Sequence, residues 1–327
     1  MTVDWTDDPA AFADPGWTSL VDADPEATVF HTPRFLKVYW EELGAGEGLE
    51  VASVQTGGKV VATAAFATDG DRLSWLGGFD VTDYMGPVGS PQYRRRAADE
   101  LMAAVAARDD WRRADLAGLP EQGTWLKALA EGGRRARLPV RIELDGVAPG
   151  LDLPASFDAY LSGLPSKLRH EVRRKDRRLR EAYPGVRVVD AAVETVATDL
   201  DRFASLHRAS AGAKGRFMVP GMELFFRRLA DELLSDGTMR LSFLEADGER
   251  LATAVGFRFR DRFFLYNSAY DHRLSKLSPG MVLAAELIRE AIEEGRSTFD
   301  FLKGDLGYKY RFGAKPRRVC RLLLDRA

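Results

Sequence analysis

Residues 239–270 read MRLSFLEADGERLATAVGFRFRDRFFLYNSAY, and the reading of this stretch decides the fold. Apolar residues recur in three runs, Met239–Glu245, Arg250–Arg258 and Arg262–Ala269, with the short period of strands. Asp247-Gly248 is a two-residue hairpin turn, because both central positions of such a turn need positive φ. A second tight turn falls at Arg260-Asp261. Downstream, residues 278–295 (SPGMVLAAELIREAIEEG) place Ala284, Leu287, Ile288, Ala291 and Ile292 on one helical face, and Gly295 suits the C-terminal cap. A short strand follows at 298–304 (TFDFLKG), then a turn or short helix at 305–313 (DLGYKYRFG), then a final strand at 317–324 (RRVCRLLL).

The same order appears earlier in the chain. Residues 51–77 (VASVQTGGKVVATAAFATDGDRLSWLG) read strand, turn, strand, turn, strand. Residues 92–110 predict a helix and 113–119 (RADLAGL) a strand. Gly58, Ala62, Thr63, Ala64, Asp71 and Arg72 face Gly248, Ala252, Thr253, Ala254, Asp261 and Arg262 at a constant offset of 190 residues. Identity at both turns and in the middle strand argues for an internal duplication. The boundary falls near residue 148, where turn residues cluster in ELDGVAPGLDLP at 143–154. All six tryptophans precede residue 126, so the two cores have diverged in composition. The expected lobes are 1–148 and 149–327 in an α/β fold of mixed sheets.

The bulk properties narrow the class. A chain of 327 residues, 45% hydrophobic and 29% charged, can bury two cores without staples. The single cysteine, Cys320, excludes an internal disulfide framework, fits a reducing compartment and reads as a core residue. The first 33 residues hold no lysine or arginine, unlike a secretory signal. No stretch approaches the roughly 20 apolar residues of a membrane span. The expectation is a cytoplasmic protein with no integral membrane association. A net charge of −2 provides no global field for DNA. No metal site is expected, because neither an H-x-x-x-H pattern nor a cysteine pair is present.

A meander, then a helix opened by a glycine-containing turn, then a strand parallel to the last meander strand, is the order of the GNAT acyltransferase fold. Four stretches carry a closer resemblance. They are FHTPRFLKVYW at 30–40, PSKLRHEVRRKDRRL at 165–179, LHRASAGAKGRF at 206–217, and above all YDHRLSKLSPGMVLAAELIREAIEEGRSTFDFLKGDLGYKYRFG at 270–313. The chain resembles the tandem-GNAT proteins of the CelD-type acetyltransferase family (named for cellulose biosynthesis) and their relatives, the Fem aminoacyl ligases. The resemblance implies two tandem GNAT (acyl-CoA N-acyltransferase) folds and transfer of an acyl or aminoacyl group to an amine. The N-terminal lobe would be diverged and acceptor-side; the C-terminal lobe would bind the donor and supply the chemistry. One departure stands out: only Leu277-Ser278-Pro279-Gly280 occupies the place of the glycine-rich phosphate loop.

Ser278 and Pro279 suit the start of a helix, and Gly280 lets a ligand approach the backbone. The free N–H groups there form either an ordinary helix start or an anion site. With Met281, and with Tyr266 and Asn267 where the strands part, these are the expected acyl-coenzyme A contacts. In residues 167–180, eight basic and two acidic residues occur together, and Arg169, Arg173, Arg177 and Arg180 line one helical face. This is a phosphate-binding stripe on a substrate or tRNA, or a solvated face paired with Glu171 and Asp176. Tyr84 and Tyr270 are further candidate substrate contacts. In TFDFLKG, Phe299 and Phe301 point to one side and Asp300 to the other. Asp300 either accepts the amine's proton or pairs with Lys309 or Arg311; Lys303 and Asp305 lie beside it in sequence. Tyr308 or Tyr310 can protonate a leaving thiolate, and Lys309 can stabilise an oxyanion or a phosphate. His207 is a candidate base or a structural histidine.

The leading expectation is an N-acyltransferase using acetyl-coenzyme A or another acyl-coenzyme A, without metal. Its acceptor would be a small-molecule or cell-envelope-precursor amine that attacks directly, because no activated serine or cysteine constellation is present. The alternatives are a Fem-like ligase fed by aminoacyl-tRNA and a non-catalytic ligand-binding relative.

Overall fold

The computed structural model describes residues 1–78, 81–210 and 213–326. Ala211 and Gly212 of the 206–217 stretch lie outside the described residues. The elements run β1 (Thr2–Thr6), α1 (Pro15–Ala23), α2 (Pro33–Leu43), β2 (Gly48–Thr56), β3 (Lys59–Asp69), β4 (Arg72–Trp75), β5 (Val88–Gly89), α3 (Arg94–Ala107), β6 (Arg113–Pro120), α4 (Thr124–Arg135) and β7 (Val140–Val147). They continue with β8 (Gly150–Asp152), α5 (Phe157–Gly163), α6 (Ser166–Ala182), β9 (Arg187–Asp190), α7 (Val196–Arg208), α8 (Ala213–Phe217), α9 (Pro220–Leu233), β10 (Met239–Ala246), β11 (Glu249–Phe259) and β12 (Arg262–Tyr270). The last are α10 (Pro279–Glu293), β13 (Thr298–Asp300), α11 (Gly307–Tyr310) and β14 (Arg318–Asp325). No helix among the described residues is long and apolar enough to cross a membrane.

Two compact units form. The first comprises Met1–Val147 and the residues from Arg317 onward, the second Ala148–Pro316. The first sheet has the order β1-β2-β3-β4-β6-β14-β7, with β5 paired to β3. The second has the order β8-β13-β12-β11-β10-β9. In each, the meander is antiparallel and one pair is parallel, β4 with β6 and β12 with β13. The terminal strand departs from the sequence reading, which placed all of 149–327 in the second lobe. β14 lies between β6 and β7 of the first sheet. Burial is the cause: Cys320, Leu322 and Leu324 complete the first unit's core against Leu116 and Leu129. Cys320 is a free, buried cysteine in that core.

Backbone conformation supports the duplication. Asp247 and Gly248 have φ of 52° and 79°, and Gly57 and Gly58 have 56° and 74°. Those are the left-handed pairs a tight hairpin requires. The middle strands β3 and β11 have buried interiors on both faces, which explains the small Ala-Thr-Ala at the centre of each. Helix α10 buries the predicted face of Ala284, Leu287, Ile288, Ala291 and Ile292 on the second sheet. Each fully buried leucine or isoleucine there contributes about 1.5–3 kcal/mol. Gly295, with φ of 73°, ends the helix. The opposite face of the second sheet carries an aromatic layer in which Phe203 of α7 and Phe226 of α9 meet, with Tyr266 of β12 beside Phe226.

Candidate active site

In the second unit β12 and β13 pair over only three positions, Arg262 with Thr298, Phe263 with Phe299 and Phe264 with Asp300. Beyond them β12 runs on to Tyr270 while β13 ends. The ladder between β11 and β12 shifts register here: Gly256 faces Leu265 and Val255 faces Asn267, which leaves Tyr266 as a bulge. The two strands therefore part beyond Phe264 and Asp300, which opens a wedge.

The turn after β13 is held from two sides. Leu302 adopts φ of 59°, uncommon for a residue with a side chain. Its N–H donates to Asp300 Oδ1 at 2.7 Å. Its carbonyl accepts from Lys309 Nζ at 2.8 Å, and Lys309 also donates to the Lys303 carbonyl at 3.0 Å. Asp300 and Lys309 are both buried. Through its bond to the Leu302 N–H, the Asp300 carboxylate helps to fix this turn. Arg311 is bridged to Glu171 of α6 at 3.2 Å.

Tyr308 stands across the wedge. Its hydroxyl hydrogen-bonds Ser268 of β12; burial pushes it up to about 12, against the downward pull of that bond. It keeps its proton at neutral pH. Its ring meets Phe301 edge-on, with centroids 6.3 Å apart. Tyr310 donates to Asp305 Oδ1 at 2.6 Å on the surface. Asn267 Oδ1 accepts the Ser268 N–H at 2.8 Å.

At the mouth, the start of α10 differs from expectation. Ser278 holds the N-cap place in a left-handed conformation, φ 55°, and its side chain does not cap the helix. The hydroxyl donates to the Ser275 carbonyl at 3.4 Å, because the left-handed backbone turns it away from the first helical amides. Pro279 is buried at the first turn. A Cβ on Gly280 would meet the Tyr270 ring at 3.1 Å, so this glycine makes room for Tyr270 and not only for a ligand. Lys175 Nζ of α6 lies 2.7 Å from Met281 Sδ and 3.1 Å from Glu171. Arg180 meets Glu286 at 2.8 Å, so α6 and α10 run in the same direction. The N-terminal half of α6 therefore continues past the start of α10.

That half is strongly basic. Arg173 and Arg174 are exposed, with no hydrogen bond or ion pair among the described residues. Arg169 reaches the Ser162 carbonyl at 3.4 Å, and Arg177 pairs with Glu181 at 3.7 Å. The predicted stripe is thus partly neutralised, and Arg173 is its open cation; Arg174 and Lys167, off the stripe, are likewise exposed with no hydrogen bond or ion pair among the described residues. His207 is fully buried on α7, its ring 4.6 Å from that of Phe203. Tyr84 belongs to the first unit and is buried beside Phe30 at 6.4 Å. Sequence reasoning passed over Ser268 and Lys175. The signals were a small hydroxyl in an otherwise aromatic strand end, and a lysine four residues after Glu171.

No curated protein matches the sequence. Several solved structures share the fold along nearly its whole length. The crystal structure of FemX superposes with a TM-score of 0.66 at 12% identity, covering 98% of this chain and 97% of that one. The C-terminal domain of a putative lysylphosphatidylglycerol synthetase from Agrobacterium fabrum gives 0.64 at 14% identity, covering 98% and 93%. A tandem GNAT protein from the clavulanic acid biosynthesis pathway gives 0.53 at 11% identity, covering 98% of both. At such identities the likeness concerns the fold alone. Residues 166–310, all in the second unit, match the family model of the acetyltransferase (GNAT) domain, and the two mixed sheets fit two GNAT folds in tandem.

Proposed function

We propose that the protein is an N-acyltransferase whose second unit receives the acyl group of an acyl-coenzyme A and delivers it to a primary amine by direct attack. One observation carries this: β12 and β13 part after Phe264 and Asp300, with the Tyr308 hydroxyl on Ser268 at the opening. The acyl carbonyl would enter the wedge, where β12 backbone N–H groups no longer bonded to β13 can receive an oxyanion. The amine nitrogen bonds to the carbonyl carbon and the C–S bond breaks. The Tyr308 proton goes to the leaving sulfur, and the proton shed by the nitrogen restores the tyrosine. Asp300 and Lys309 act as positioning residues by holding the turn that carries Tyr308. The donor's phosphates fit the start of α10, where Lys175 adds a cation to the helix's positive end and Arg173 and Arg174 lie upstream.

The test is release of free thiol from acetyl-coenzyme A over a panel of amines. Amine-dependent release that Tyr308→Phe abolishes supports the reading; absence of release with every acyl-coenzyme A overturns it. The exposed, uncompensated Arg173 and Arg174 favour one alternative, a donor carried on tRNA. That reading requires transfer from aminoacyl-tRNA and an affinity that falls steeply with salt.

A further inference from the structure

The first sheet ends on β7, which is longer than β1, β8 or β9, the other strands that end a sheet. Its inner edge is paired to β14. Its outer edge has no strand beside it among the described residues. The ladder shows which amides face outward. The Asp325 N–H donates to the Pro139 carbonyl, and opposed residues of an antiparallel pair exchange hydrogen bonds at every second position. Arg141 and Glu143 therefore bond to β14, while the N–H and C=O groups of Val140, Ile142 and Leu144 point away from it.

The side chains alternate as well. Val140, Ile142 and Leu144 lie opposite Leu324, Leu322 and Cys320, so they share the face that carries the first unit's core. Val140 packs against that core beneath the end of α4, where a Cβ on Gly133 would meet it at 2.9 Å. Ile142 and Leu144 are 44% and 52% exposed. Arg141 and Glu143 stand on the opposite face, 3.6 Å apart and about half exposed. Natural edge strands are blunted against pairing by lysines, prolines or bulges. β7 contains neither lysine nor proline, and its register shift against β14 falls past Leu144.

The run Val140-Arg141-Ile142-Glu143-Leu144 complements itself when read backwards. An antiparallel second β7, with a two-fold axis at Ile142, sets Ile142 against the partner's Ile142, Val140 against the partner's Leu144 and Arg141 against the partner's Glu143. The outward amides then meet outward amides, apolar side chains meet apolar ones, and each arginine meets a carboxylate. Moving the axis by one residue either way sets Arg141 on the partner's Arg141 or Glu143 on the partner's Glu143, which repel. Charge and backbone thus agree on a single register, and the strand that fits it is another copy of this chain.

We propose that the protein forms a two-fold dimer in solution by antiparallel pairing of β7 with β7 of a second copy, centred on Ile142. Such pairing uses up both edges and closes at two copies. One strand from each copy is a small contact beside the roughly 1,200–2,000 Å² of stable interfaces, so the dimer should dissociate at about 1–100 μM. The inference goes beyond the transfer reading, since pairing here needs no substrate and no residue of the second unit.

The experiment is sedimentation equilibrium of the full chain at concentrations on both sides of that range. A reversible dimer with no larger species is expected. Arg141→Glu and Glu143→Arg each set like charges across the axis and should each weaken dimerisation about tenfold. The double variant restores opposite charges and should recover it. Cysteines test the register separately. Residues opposed in this way have Cα atoms about 5.5 Å apart, within disulfide reach, whereas the two copies of Leu144 would stand about 14 Å apart. Ile142→Cys should therefore cross-link copy to copy on mild oxidation and Leu144→Cys should not; the native Cys320 is buried. A monomer at every concentration, single charge variants that dimerise as the parent does, no recovery in the double variant, or cross-linking no stronger at 142 than at 144 overturns the proposal.

Discussion

Gly70 and Arg260 stand at the same turn of the two meanders and share one left-handed backbone conformation, with φ of 58° and 55°. The first turn has kept a glycine; the second sustains the conformation with a side chain. A Cβ added at Gly70 would have nothing within 4 Å, so any cost of substitution is conformational. Gly70→Ala should destabilise the first unit by about 1 kcal/mol, and Gly70→Asn by less, because asparagine tolerates this region. Urea denaturation of both variants measures the difference.

The first unit also holds a buried charge cluster. The Asp24 side chain is 1% exposed and pairs with Arg94, while accepting from Trp125 Nε1 and the Gly89 N–H, each at 3.0 Å. Asp24→Asn leaves a guanidinium buried with less than its full counter-charge. Removing one partner of such a pair costs about 3–5 kcal/mol. The earliest transition in a denaturant titration should shift to lower concentration, with Asp24→Ala shifted at least as far.

The turn after β13 separates two roles for one carboxylate. An asparagine at 300 still offers an oxygen to the Leu302 N–H. Asp300→Asn should therefore keep most of the transfer rate and Asp300→Ala should lose it, as positioning demands. Lys309→Met, which removes two hydrogen bonds to carbonyls, should cost about 1–3 kcal/mol of stability. Rates and melting temperatures of the three variants, compared together, decide this.

Tyr308 makes a prediction about pH. An unfolded tyrosine ionises near about 10, whereas burial holds Tyr308 up to about 12. Below about 10 the group is neutral in both states and contributes nothing to the pH dependence. As pH rises from about 10 to 12 the folded state keeps a proton that the unfolded chain releases, so stability falls. Tyr160, buried and donating to the Phe312 carbonyl at 2.8 Å, is also pushed up by burial and acts in the same sense. Tyr308→Phe should flatten the alkaline decline. It should also lower kcat about 100-fold or more at neutral pH, leaving KM for the donor nearly unchanged.

Arg173→Ala and Arg174→Ala touch only exposed cations. Each should raise KM for a phosphate-bearing donor with kcat unchanged, because such contacts hold ground state and transition state alike. The effect should shrink as ionic strength rises. Initial rates at two salt concentrations test it.

Local chemistry made much of the second unit legible in the sequence. The three strands at 239–270 were placed within a residue or so, because alternation and the Asp247-Gly248 turn are written in adjacent positions. The helix at 280 followed from its apolar face. The return of β14 was not legible: RRVCRLLL shows a strand but not its neighbours, and partner choice is a property of tertiary packing. The hydroxyl of Ser278 looked like a cap until the left-handed backbone turned it aside.

The path of β14 has a consequence for biosynthesis. Until Arg318–Asp325 arrive, β6 and β7 have no strand between them, and the core lacks Leu322 and Leu324. During translation the first lobe to emerge from the ribosome is thus the last to close, while the second can complete its sheet beforehand. A stalled or truncated nascent chain would present two unsatisfied strand edges to whatever chaperone or protease is near.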